Sequence, residues 1–193
     1  MHSGSHPVLP AVAACILVFV TSLYLLLGLA LHYAMLSVGS SRSFGFAAVA
    51  IGAALLHERL IRGSLYRVFQ RRFAPGAAAA ALAAVGALAP VLARHFLLPR
   101  PSAPLPLVIA QSILVELSIS FALTWLALGS GSTWPGGVAL GLIWAVRLAL
   151  VITFHGGVVP FLEVVAAMAG ALAIAAVLVR ALAPYRDQVL GAS

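Results

Sequence analysis

The sequence has no lysine, a single cysteine and only four acidic residues. Cys15, alone in an apolar run, rules out an intrachain disulfide and a multi-cysteine metal site. The glycine pairs at 136–137 and 156–157 lack a following Gly-Lys and a strand-to-helix setting, so they are turns rather than phosphate loops. Only 8% of residues are charged, against about a quarter in a soluble domain. The net charge of +7 comes from eleven arginines. They cluster at the ends of apolar runs and form no groove interleaved with aromatics, so they read as topology and headgroup anchors and not as a nucleic-acid surface.

What is present is hydrocarbon. The chain is 63% hydrophobic, with 17 glycines and runs of alanine. Recurrent long apolar runs predict an all-α fold: a polytopic integral membrane helical bundle of about six transmembrane helices, in one membrane domain over residues 1–193. Helices in lipid meet through small residues, which fits this composition. The expected spans are 8–36, one from Phe44 running on as helix through the polar stretch 57–72, 76–98, 105–128, 138–154 and 158–182. The first seven residues carry no Lys or Arg, and the run behind them is too long for a signal-peptide core. A retained first span is therefore expected. Placing Arg62, Arg67, Arg71, Arg72, Arg180 and Arg186 inside and Arg42, Arg94 and Arg100 outside puts both termini in the cytoplasm. The partner expected from composition is the lipid bilayer.

The stretch 57–72 interrupts the hydrocarbon with His57, Glu58 and five arginines. Glu58 and Arg62 are an i, i+4 acid–base pair in the favourable order, with His57 beside them. The cluster is either a helix-stabilising pair at the membrane edge or a site for a peptide or headgroup. Glu116 and Arg147 stand inside apolar runs, where an isolated charge is costly, so each is expected to have a partner: the other, or the Glu58 group. Pro90 predicts a kink in the third span. His32, His57, His95 and His155 come from four segments without short ligand spacing, so no metal site is expected.

Residues 58–73 (ERLIRGSLYRVFQRRF) resemble the first motif of the CPBP family, the CAAX-protease and bacteriocin-processing (Abi) intramembrane endopeptidases. That motif is two glutamates, three residues, then arginine and usually glycine before a basic helix. Residues 131–135 (GSTWP) resemble the Gly-Ser-Leu-Trp-Pro turn before the family's last catalytic helix. The family-like core covers about residues 45–155. Within it the first glutamate position reads His57, while Glu58 and Arg62 keep theirs. The second motif, Phe and His, falls on Gly86 and Pro90; the third, His and Asn or Asp, falls on Leu140 and Trp144. The resemblance implies a prokaryotic inner-membrane protein and a degenerate member of the family, with no cofactor. Leu140, Trp144 and Pro90 can neither bind a metal nor move a proton.

The expected function is that of a pseudoprotease. It would bind a membrane-embedded peptide, a lipid-modified tail or a partner subunit around His57, Glu58, Arg62, Glu116 and Arg147. In that cavity Pro90, Leu140 and Trp144 replace reacting groups. One alternative is an active endopeptidase with a relocated site, Glu58 or Glu116 as base with His57 or His155. Another is a small-solute transporter subunit with a wet cavity near Glu116 and Arg147.

Overall fold

The computed structural model describes residues 8–31, 34–38, 41–97, 105–154 and 158–182. Long helices dominate: α1 (Val8–Ala30), α2 (Ser41–Glu58), α3 (Tyr66–Gln70), α4 (Pro75–Leu97), α5 (Leu105–Ser130), α6 (Trp134–Ala149) and α7 (Val158–Leu182). Between α2 and α3 the chain stays helical but widens to a π-helix, Arg59–Leu65. There the Tyr66 N–H bonds the Ile61 carbonyl, five residues back. Helix therefore runs without a break through the polar stretch, as the lack of proline there predicts. Pro75 opens α4, where its missing N–H costs nothing. Pro90 lies inside α4, and the helix continues past it to Leu97.

Two apolar segments depart from the expected spans. Ala34–Val38, which overlaps the end of the first expected span, and Leu150–Phe154, the end of the fifth, form an antiparallel ribbon, β1 and β2. Ala34 pairs with Phe154 and Val38 with Leu150. A continuous apolar run carries no period to separate strand from helix. The β-branched Val151, Ile152 and Thr153 favour the pleated form once two such runs lie side by side. The ribbon ties the C-terminal ends of α1 and α6 together.

α5 is central: α4, α7, α1 and α6 all pack on it, while α2 lies along α6. The core joins Leu17 of α1 to Val115, Ile119, Leu123 and Leu126 of α5, Leu140 of α6 and Ile174 of α7. α6 begins at Trp134, so Gly136 and Gly137 are helical and not the turn expected above, and α6 meets α2 through a glycine face. A Cβ at Gly137 would stand 3.2 Å from the Leu55 Cα, and one at Gly141 would stand 3.1 Å from the Ile51 Cα. Only glycine lets the two backbones approach so closely, the small-xxx-small arrangement of helices in lipid.

Polarity is inverted relative to a water-soluble protein. Phe46, Val49 and Leu172 are 64%, 68% and 68% exposed, while Glu58 and Glu116 are 0% and 2% exposed. Among the described residues three helical stretches are long and apolar enough to cross a membrane by length and composition: Pro10–Ala30, Phe44–Gln70 and Ile109–Ser130. Gly76–Leu92, Trp134–Ala149 and Glu163–Val177 are apolar but shorter. The molecule is thus a helical protein of membrane type.

Candidate functional site

Polar residues recur at every fourth position of α5: Ser112, Glu116, Ser120 and Thr124, all buried. Four residues is just over one turn, so they form one stripe down the helix. The stripe receives Arg62 from the π-helix. Its Nε donates to Thr124 Oγ1 at 3.1 Å; its Nη2 donates to the Ser120 carbonyl at 2.7 Å and the Ser120 hydroxyl at 2.6 Å. Its Nη1 donates to Glu58 Oε1. Four donors are thereby used, and both partners of the ion pair are buried. Gly86 of α4 makes room: a Cβ there would lie 2.6 Å from the Ser120 hydroxyl and 3.0 Å from Arg62 Nη2. A large side chain at this position would displace the arginine from its seat.

His57 places Nδ1 3.2 Å from Glu58 Oε1 and sets its ring edge-on to Trp144, centroids 5.9 Å apart. Two atoms are left over. His57 Nε2 and Glu58 Oε2 are buried without a hydrogen-bond partner. Oε2 lies against Gly136, where a Cβ would stand 3.2 Å away.

Among the described residues α4 and α6 scarcely touch one another, although both pack on α5. Between them lies a narrow crevice. Its lining includes His57, Arg62, Gly86, Pro90, Glu116 and Leu140, and it is too narrow to admit a water-sized sphere. Five of the eight expected site residues thus line one crevice: His57, Arg62, Pro90, Glu116 and Leu140. Glu58 is clamped by Arg62, Trp144 borders His57, and Arg147 binds Glu116.

Arg147 belongs to a second cluster. Its Nη1 donates to Glu116 Oε1 at 2.7 Å and its Nη2 to Glu163 Oε1 at 3.0 Å. Gln111 Nε2 donates to Glu163 Oε2 at 2.7 Å. This ties α5, α6 and α7 together with two carboxylates on one guanidinium. Arg147→Leu is expected to lower stability by about 3 kcal/mol, because it leaves two enclosed carboxylates facing each other. Glu163→Gln, which keeps a polar group opposite Arg147, is expected to cost about 1 kcal/mol. Thermal unfolding of both variants in detergent checks the order.

Ser120, Thr124, Glu163 and Gln111 were not singled out by sequence reasoning. The four-residue period of α5 is the signal that could have found the first two. Among the described residues no three of His, Cys, Asp and Glu gather as a metal-ligand group. His32, His155 and residues 98–104 lie outside the described residues, and His95 sits on α4.

On the other side of Arg62 is open space. A half-open cavity of about 360 Å³ is lined by Arg62, Gly63, Tyr66, Gln70, Leu82 and Leu128, among others, and by the turn Gly131–Thr133. Gly131 has φ +65°, the left-handed conformation that glycine adopts without strain, and it turns the chain from α5 into α6. No family model, curated protein or solved structure matches the chain.

Proposed function

We propose that this chain is a non-catalytic intramembrane binding protein, a pseudoprotease similar in arrangement to the CPBP endopeptidases. It would hold a membrane-embedded peptide, a lipid-modified tail or a partner subunit without cutting it. One observation carries the proposal: the crevice beside the Glu58–Arg62 pair has no room for water. Hydrolysis needs a base within hydrogen-bond reach of a water, and a water needs space and polar partners. Here one oxygen of Glu58 is held by Arg62 and the other faces Gly136. Pro90 and Leu140 line the crevice and Trp144 closes on His57. What supports the likeness to the family is that residues distant in sequence, aligned through its motifs, meet at this one place.

A partner would meet the exposed apolar side chains outside the crevice, such as Leu88 and Leu92 of α4, through close apolar contact. In the same reading α1, α2 through α3, α4, α5, α6 and α7 make six crossings of a prokaryotic inner membrane, with both termini cytoplasmic. The β1–β2 ribbon supports the count, because it joins the C-terminal ends of α1 and α6. Alternating crossings bring those two ends to the same side.

The test is the full chain in phospholipid vesicles with a fluorescent single-span peptide and a farnesyl-cysteine peptide. Association without a cleaved product is expected. Cleavage that disappears in Glu58→Gln would replace this proposal with the active endopeptidase. The unpartnered Oε2 of Glu58 next to His57 is the feature that favours that second reading. A transporter reading is less favoured, because Glu116 and Arg147 are engaged with each other and with Glu163 across three helices.

A further inference from the structure

The cavity on the outer side of Arg62 goes beyond the proposal above and does not depend on it. Its position comes first. The helix through Phe44–Gln70 ends at its rim, and Ile109–Ser130 ends at the same rim. Two helices long enough to cross a membrane end together there, which places the cavity where hydrocarbon gives way to headgroups. The lining comes second. It includes the polar side chains of Tyr66, Gln70 and Thr133. None of the three side chains hydrogen-bonds within the protein among the described residues. Arg62 also lines it, its guanidinium donating to Glu58, Ser120 and Thr124. Leu82 and Leu128 supply an apolar wall.

Charge at the rim decides the ligand's sign. Arg67 follows the lining residue Tyr66 and Arg71 follows the lining residue Gln70, so both arginines run along α3 beside the lining face and not in it. Both are exposed. With Glu58 neutralising Arg62, the nearby exposed charge among the described residues is positive. Polar donors beneath a basic rim, with hydrocarbon on one side, match a phosphate group carried on an apolar body.

We propose that this cavity seats a phosphate, either the headgroup of an anionic phospholipid or a soluble phosphate. In the lipid case its chains run down past Leu82 and Leu128. Gly63 offers the cleanest test, because a Cβ there meets only Arg59 Cγ and Thr133 Cγ2, both at an ordinary 3.9 Å. Gly63→Leu therefore fills the cavity without backbone strain and without changing charge. Arg67→Gln removes a rim charge from an exposed position, where folding is not at stake.

The full chain is stripped of lipid and reconstituted in phosphatidylcholine vesicles containing a minor share of phosphatidylglycerol. Lipid retained after mild extraction is read by native mass spectrometry. Selective retention of phosphatidylglycerol is expected, lost in Gly63→Leu and about fivefold weaker in Arg67→Gln. Inorganic phosphate is the second arm, followed by phosphorus NMR line broadening on the delipidated chain. Broadening that Gly63→Leu abolishes, without lipid selectivity, supports the phosphate seat with a soluble source. Equal retention of both lipids together with no broadening overturns the proposal. So does retention and broadening left unchanged in Gly63→Leu.

Discussion

Arg62→Leu is expected to cost the fold about 3–5 kcal/mol, the usual penalty for removing one partner of a buried ion pair. The physical reason is the carboxylate left behind. Glu58 is fully enclosed, and its Oε2 already has no partner. Without the guanidinium only the His57 ring stands near Oε1. Ser120 and Thr124 suffer less, because the Thr124 hydroxyl donates to the Ser120 carbonyl whether or not Arg62 is present. The double variant Glu58→Leu with Arg62→Leu is therefore expected to recover most of the loss, since an apolar pair of similar volume replaces the charges. Thermal unfolding in detergent gives the cycle. A double variant no more stable than Arg62→Leu would show that the pair contributes through its other hydrogen bonds and not through neutralisation.

The second large effect is expected at the α2–α6 seam. Gly137→Val and Gly141→Val place new carbon atoms against the backbone of Leu55 and Ile51, so the helices have to separate. Overpacking of this kind costs about 1–3 kcal/mol per site. The two together also draw Trp144 away from His57, which a change in tryptophan fluorescence reports. Gly52→Ala on the same α2 is the control. Nothing lies within 4 Å of a Cβ there, so it is expected to be neutral or to stabilise by up to about 1 kcal/mol.

Local spacing carried much of the fold and of the polar cluster. Proline and polar punctuation set the start of α4 at Pro75 and bracketed α5 and α7, because these residues act on the backbone directly. The Glu58–Arg62 pair was legible from its four-residue separation, and the need of Glu116 and Arg147 for partners from their place inside apolar runs. Three features were not legible. The β1–β2 ribbon depends on two distant runs meeting, and either run alone is as good a helix end. The π-helix at Arg59–Leu65 leaves no compositional mark. The third member of the Arg147 cluster, Glu163, depends on how α7 leans against α5, which is a tertiary fact. The glycine seam lay in between: Gly137 and Gly141 have the spacing, but the helix they would meet is set by packing alone.

The most direct measurement is water access to the crevice. In a Cys15→Ser background, Ser120→Cys places a thiol of nearly unchanged size beside Arg62, and Thr133→Cys places one in the open cavity. A water-borne methanethiosulfonate reagent reacts with the thiolate, which requires water at the sulfur. Rapid modification of Thr133→Cys and protection of Ser120→Cys until the protein unfolds is the expected result. Modification of Ser120→Cys at a comparable rate in the folded chain would mean that water reaches the Glu58–Arg62 pair, and it would contradict the non-catalytic reading.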